Sequence, residues 1–542
     1  MNETTCTFCL GFPSSLQQNM GSQAHFPHLV IAGVEPWGHA RPLCAFAARV
    51  ALTRDVHITL FTVPRVLERV KTEVARGFGP EHAERQKLVR VIALDTNVEG
   101  SGSFGENLKK EQERYFVVFV AAYQKLLEEK PLTCFVTNAE FPAVPAPKTV
   151  VLDFMVGSLA GTVKSMNKNA QVIGFCSGMA SYLYLSFAPR ERGGRGDFKQ
   201  KAHSISQETG RHIHEVAEEL AHTFTDEICQ IPGFPKMYHW EFDPQDTKFL
   251  TNGFLGPLWL SLFETYEQCD GLLITSPEAY EPAAIAATKD WFAESKRGVW
   301  AIGPLLPSTT SEKAKSGEES LSESSAAIKT FMDETLKKNG EHSMLYISFG
   351  SAFWPQDFAK VEAFVDVLIE KKVPFIFSHG SPAAQLTDAF KEKVGKSGVG
   401  LLSPWSPQQT ILVHPALGWF VTHGGHNSTL EAVSSGVPMI CWPFHADQPA
   451  NAVNLTENHQ VAYELLEVRI NNGLKPIYRT GKAPLNTIDA LKAEVREVLD
   501  KAFGEDGQKK RTNVKKLKAQ IDAAWDKGGP ADVDMGNFLA TL

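Results

Sequence analysis

Cysteine is scarce in this chain, 8 among 542 scattered residues. That excludes a disulfide scaffold and reads as a set of reduced thiols. Cys6 and Cys9 form a lone pair in a polar amino-terminal stretch, too little for a metal or redox site. No run approaches the roughly 18 apolar residues that a membrane span needs. The first residues lack the basic-then-apolar pattern of a secretory signal, and the ending Met535 to Leu542 carries no anchor. There is no long basic run and the net charge is −8, which argues against nucleic acid or an anionic membrane as the main partner. No G-x-G-x-x-G opens the chain, so a dinucleotide dehydrogenase is disfavoured. No carboxylate cluster suggests a metal site, and no cofactor is expected. These absences lead to the expectation of a cytoplasmic monomer without a transmembrane segment.

What is present is length enough for two large cores and an ordinary apolar fraction of 43%. Residues 1–26 read as a tail. From there apolar strand-like runs alternate with helical patterns: His28 to Val34, a helix Ala40 to Leu52, then Val56 to Val63, Leu88 to Leu94, a helix Glu111 to Glu129, Thr149 to Leu152 ending in Asp153, Gln171 to Cys176, Gly271 to Thr275 and Gly298 to Gly303. Such alternation specifies an α/β fold with a parallel sheet. Arg190 to Lys201, basic and glycine-containing, reads as a mobile surface loop. Residues 307–325, rich in Ser, Glu and Lys, read as a linker between a first domain at 27–306 and a second at 326–542. A second alternating series follows, with strands at Met344 to Phe349, Val373 to Phe377 and Gly398 to Leu402, a helix near Gln356 to Lys371, and closing helices at Asn486 to Phe503 and Lys509 to Lys527.

The densest chemistry lies between Leu401 and Gln448. Ser406-Pro407 reads as a cap ahead of a short helix from Gln408, and Leu417 to Thr422 as a buried strand. His423-Gly424-Gly425-His426-Asn427-Ser428 then opens a helix, with Ser428 and Glu431 at capping-box spacing and Gly436-Pro438 as its stop before Met439 to Trp442. A helix N-terminus behind paired glycines favours an anion, through unpaired amides and the helix dipole. His423, Asn427 and Ser428 add donors suited to a diphosphate. Trp405 offers a stacking face worth about 1–3 kcal/mol to a base, Glu431 can accept from sugar hydroxyls, and Asp447-Gln448 form an acceptor and donor pair for a second sugar. The residues describe a nucleotide-sugar site. Asn427-Ser428-Thr429 is also a glycosylation sequon, and a glycan there would block that site.

This stretch resembles the signature box of the UDP-dependent glycosyltransferases that modify small lipophilic molecules, best known from plants. The resemblance extends from about His28 to the C-terminus and implies two Rossmann-like domains facing across a cleft, the GT-B fold, with the last helix returning to the first domain. It implies that Trp405 stacks on uracil, that Gln408 and Glu431 bind the ribose, that His423, Asn427 and Ser428 hold the diphosphate, and that Asp447 and Gln448 bind the sugar. Ser406, Gly425 and His426 complete the box, with His426 where the plant pattern has tryptophan and Gly424 where it has cysteine. Ser351, after Gly350, matches a family position near the phosphates. Glu35 to Pro42 resembles the family's glycine-histidine turn, which makes His39, behind Gly38, the general base and Asp153 its orienting carboxylate, with Ser177 nearby.

The expected reaction is a single in-line displacement that inverts the anomeric centre, transferring a sugar, most simply glucose, from a UDP-sugar to a hydroxyl of a small lipophilic acceptor without a metal ion. Aromatic segments such as Phe154, Phe175 and Tyr182 to Phe187 are candidate acceptor walls, although each also reads as core. A UDP-sugar epimerase and a non-catalytic nucleotide-sugar binder are the alternatives. The signature box weighs against the first, and His39 with Asp153 against the second.

Overall fold

In the computed structural model the described residues are 26–98, 104–247, 253–306, 325–351, 353–381 and 383–542. The amino-terminal tail to residue 25 and nearly all of the linker, 307–324, lie outside them.

Two parallel sheets organise the chain. The first is built from β1 (His28–Ala32), β2 (His57–Thr62), β3 (Val89–Ala93), β4 (Thr149–Asp153), β5 (Gln171–Cys176), β6 (Gly271–Ile274) and β7 (Gly298–Ala301). Its order is β7-β6-β5-β4-β1-β2-β3. The second comprises β8 (Met344–Ser348), β9 (Phe375–Ser378), β10 (Gly400–Ser403), β11 (Leu417–Thr422), β12 (Met439–Cys441) and β13 (Ala462–Glu464), in the order β10-β9-β8-β11-β12-β13. Most strands are buried along most of their length because helices cover both faces, as parallel sheets require. Leu29, Val30, Ile31 and Ala32 of β1 are wholly buried.

In each sheet the strand order reverses once. The reversals fall between β1 and β4 and between β8 and β11, and in open α/β sheets the crevice at the carboxyl ends of such strands is where ligands bind. His39 lies in the first turn of the helix that follows β1, and Asp153 is the last residue of β4. The segments leaving β8 and β11 carry Gly350-Ser351 and His423 to Ser428.

Several local expectations are corrected. Helix α1 spans Trp37–Thr53 and is capped by Pro36, three residues ahead of the expected start, so His39 lies within its first turn and Pro42 in its interior. The short helix from Gln408 is preceded by Pro407 with no side-chain cap, and the Ser406 hydroxyl is buried without a partner. The expected capping box at Ser428 does not form. The helix begins at His426 after Gly425, which places Ser428 and Glu431 inside it and leaves Glu431 free to face the other domain. Arg190 to Lys201 is not a loose loop: Arg190 pairs with Asp197 at 2.9 Å and also with Glu227, Arg195 pairs with Glu227, and a helix begins at Phe198.

The closing helix, Pro530–Leu539, crosses back to the first sheet. Phe538 is fully buried there, with ring centres 5.3 Å from Trp300 and 5.8 Å from Phe46. Asp534 accepts from the Ala301 amide at 2.7 Å and from Lys289 at 2.9 Å. The helix therefore fastens the second half to the first. Phe538→Ala is expected to cost about 3–5 kcal/mol, read as an earlier denaturant transition of the first domain, and an unshifted transition would show that this helix contributes little.

Candidate active site

Helix α1 starts directly behind β1 and projects its first turn into the cleft. The His39 ring stands over the carboxyl end of β4, where Asp153 is fully buried. Nδ1 of His39 lies 3.1 and 3.2 Å from the two Asp153 oxygens and 3.0 Å from the Ser177 hydroxyl. The Met155 amide donates to the same carboxylate at 2.9 Å, which fixes its orientation. A carboxylate at Nδ1 requires a proton on that nitrogen, so Nε2 carries the lone pair. Phe154 packs beside the ring at 4.9 Å between centres, and the histidine side chain keeps about 22% of its surface exposed. Burial alone would lower the His39 pKa. Asp153, by charge and hydrogen bond, and Asp447 outweigh it, and the net direction is up.

The other half of the cleft is built by the loop after β11. Gly424 has φ +81°, in the left-handed region that glycine tolerates. The turn folds tightly around His423: a Cβ on Gly425 would lie 2.4 Å from its ring and one on Gly350 2.9 Å away. The helix N-terminus of α2 (His426–Ser434) then points into the cleft. Burial pulls both His423 and His426 down to about 4, so both imidazoles are neutral near pH 7. A neutral His423 can still donate one N–H.

The domains meet across these elements. Pro42 has no amide proton to give the Gly38 carbonyl, the position four residues back that an α-helix would bond. Asn427 Nδ2, on the first turn of α2, donates to that carbonyl at 2.6 Å and reaches the Ser177 carbonyl at 3.4 Å. One helical turn further on, Glu431 pairs with Arg41 of α1 through one oxygen and accepts from Gln408 at 2.7 Å through the other. Trp405 lies half-buried at the rim, with the Arg69 guanidinium 4.6 Å from its ring centre and 3.7 Å from that of Trp37.

Asp447 also approaches the first domain. Its carboxylate accepts weakly from the Met179 amide at 3.4 Å, next to Gly178, and burial pushes its pKa up to about 7. Gln448 turns its carbonyl oxygen inward to the Phe444 amide at 2.9 Å, so that end braces its own loop. Ser351 is exposed behind Gly350. Phe175 is fully buried core, whereas Tyr182 is part-buried with its ring 6.0 Å from Phe242.

The structure thus brings His39, Asp153, Ser177, Gly38, Asn427 and Asp447 to one place, and Trp405, Gln408 and Glu431 to another a short way along the cleft. Sequence reasoning missed Arg41 and Arg69. It also missed a buried pair linking His445, two residues before Asp447, to Asp243 at 3.0 Å. Arg41 had a signal in its place two residues after His39. His445 and Asp243, 202 residues apart, had none.

The family model described as UDP-glucoronosyl and UDP-glucosyl transferase matches residues 321–471. The chain is 29% identical over 518 residues to UDP-glycosyltransferase eriJ of Hericium erinaceus, covering 93% of this chain and 96% of that protein. It is 24% identical to UDP-glycosyltransferase 73C5 of Arabidopsis thaliana, over 95% of this chain and 96% of that one. Among solved structures it superposes on a ugt transferase from Siraitia grosvenorii in complex with UDP, at TM-score 0.66 and 18% identity, covering 95% and 99% of the two chains. Phytolacca americana UGT2 complexed with UDP-2fluoro-glucose and pterostilbene gives TM-score 0.65 and 19% identity with the same coverage. Fold and relatives therefore define a glycosyltransferase with two facing Rossmann-like domains, GT-B. Within that class residues 321–471 match the UDP-glycosyltransferase family model, and relatives similar along almost the whole chain are named UDP-glycosyltransferases, which supports sugar transfer from a UDP-sugar.

The opposed electrostatics of the three histidines can be measured directly. By NMR of histidine-labelled protein, His39 is expected to titrate above 6.5, and Asp153→Asn to lower that midpoint by removing the charge that raises it. His423 and His426 are expected to stay neutral from pH 5.5 to 8. A His39 midpoint unmoved by Asp153→Asn would show that the pair does not set its protonation.

Proposed function

We propose that this protein is an inverting hexosyltransferase that moves a sugar, most simply glucose, from its UDP carrier to a hydroxyl of a small lipophilic acceptor, with His39 as general base. The observation that carries the reading is the Nδ1 contact of His39 with buried Asp153, on a helix tied directly to the N-terminus of α2. Nε2 takes the acceptor proton as the acceptor oxygen attacks the anomeric carbon. The bond from that carbon to the β-phosphate oxygen breaks, and its electron pair leaves with UDP. Attack opposite the leaving group turns an α-linked donor into a β-glycoside. Asp153 keeps Nδ1 protonated and stabilises the imidazolium that forms.

In this reading uracil stacks on Trp405, displacing Arg69 from any face they share. Ribose hydroxyls approach Gln408 and Glu431, and the diphosphate lies at the N-terminus of α2 beside His423, Asn427, Ser428 and the Gly350-Ser351 turn. Ser406 and His426 support that loop, and Asp447 and Gln448 face the sugar. The negative charge that develops on UDP falls on preorganised donors, so the proposal assigns no role to a metal ion. The choice of glucose draws on Gln448 and on relatives such as zeatin O-glucosyltransferase of Phaseolus lunatus, 31% identical over 45% of this chain and 50% of that protein. The acceptor class draws on the aromatic surroundings of His39 and Tyr182. A cytoplasmic setting fits six buried, unbridged cysteines among the described residues, where no helix is long and apolar enough to cross a membrane.

Mass spectrometry of the protein with UDP-glucose and a panel of phenols, sterols and hydroxylated lipids is expected to show one hexose added to at least one acceptor. An altered UDP-sugar with no glycoside would indicate an epimerase instead. His39→Ala is expected to lower transfer by about 10²–10⁴-fold with UDP affinity retained, and equal turnover would overturn the base assignment. His423→Ala is expected to weaken UDP binding by calorimetry, and unchanged affinity would remove it from the diphosphate site.

A further inference from the structure

The segment from Leu401 to Gln448 holds neither lysine nor arginine. Two of its imidazoles, His423 and His426, are buried and uncharged near neutrality. It does hold two acids, Glu431 and Asp447, so the stretch assigned to a multiply charged nucleotide carries no lysine or arginine of its own. The positive charge comes from the opposite domain. Arg41, nine-tenths buried, pairs with Glu431. Arg69 lies on Trp405 at 4.6 Å, and Arg76 donates to Gln409 at 2.8 Å.

Resting on the donor-site reading above, we infer that Arg41 is a further donor-binding residue, the cation that the first domain supplies to the nucleotide diphosphate. Three observations fix its place. The first turn of α1 lies against the first turn of α2 through the Asn427 bond to Gly38. Arg41 follows Gly38 by three residues and meets Glu431, one helical turn from Asn427, so its guanidinium is about 5–6 Å along the helix from the phosphate end. A guanidinium has five donors in a fixed fork and can keep one oxygen of Glu431 while turning others to a phosphate. Without it the buried Glu431 carboxylate would face incoming UDP uncompensated, and like charges in a partly buried site repel strongly. Arg41 also sits two residues from His39 on the same helix. Nucleotide occupancy and placement of the base are therefore coupled through one turn of α1.

The alternative is that Arg41 competes with the nucleotide for Glu431, and the two ideas predict opposite signs. Calorimetry of the full-length protein with uridine, UMP and UDP separates them. Arg41→Gln is expected to weaken UDP by roughly 10- to 100-fold, UMP less, and uridine least. Tighter or unchanged UDP binding would overturn the inference in favour of a competitor or a bystander. An equal loss for uridine and UDP would overturn it too, since the effect would then lie with the ribose alone. If Arg41→Gln does not fold, Arg41→Lys keeps the charge without the fork, and a smaller loss confined to the phosphorylated ligands is expected. Failure of the unaltered protein to bind UDP would overturn the donor-site reading itself, whereas UDP binding that ignores Arg41 overturns only this inference.

Discussion

At the centre of the cleft the two domains meet through a hydrogen bond that a proline makes possible. Pro42, inside α1, cannot bond the Gly38 carbonyl, and a helix interior with such a gap ordinarily bends or recruits another donor. Here the donor is Asn427, at 2.6 Å from the other domain. The defect in one helix thereby becomes the dock for the start of another. His39 lies one residue after Gly38, so this bond between the domains falls next to the residue that carries the imidazole. Arg41 with Glu431 repeats the contact one turn on, with charge in place of a neutral amide.

Burial acts on the titratable groups here in different directions, and neighbouring charge decides which. His423 and His426 have no carboxylate against them, so desolvation alone carries them down to about 4. His39 suffers the same desolvation but faces Asp153 at 3.1 Å with Asp447 beyond, and is held up. Asp447 is itself pushed up to about 7, with His39 pulling against that rise. The two groups, ordinarily well apart, are thereby brought to titrate nearer one another. The neutral histidines suit fixed hydrogen bonding, which must not switch with pH.

Much of the scaffold was legible. Gln171 to Cys176 and Leu417 to Thr422 are strands over the whole spans read from their apolar runs, because a parallel strand covered on both faces has no alternation to blur its ends. The return of the last helix followed from resemblance and not from any local signal. What failed was capping. Ser406-Pro407 and Ser428 with Glu431 satisfy the spacing rules, yet neither side chain caps. In the second case a helix that starts three residues early, with Gly425 in place of Ser428 as its N-cap, releases Glu431 to meet Arg41. The short strand Ala462–Glu464 went unread because three residues give no period.

The contact between His39 and Asp153 was within reach of the sequence for a topological reason. Both residues lie at or just beyond the carboxyl ends of strands that flank the point where the strand order reverses, and there the adjacent loops are forced apart into a crevice that only side chains can bridge. Contacts between domains have no such rule. Asp243 finds His445 across 202 residues, and Arg69 slides between Trp37 and Trp405, through the relative placement of two sheets, which no local pattern encodes. Charge gives one purchase on that problem. Under the proposed function, a nucleotide site whose own 48-residue stretch from Leu401 to Gln448 lacks any lysine or arginine must borrow its cation or do without, and the arginines nearest in sequence to His39 are the first place to look. In that reading Arg41 meets the demand from the same helix that carries His39, two residues away.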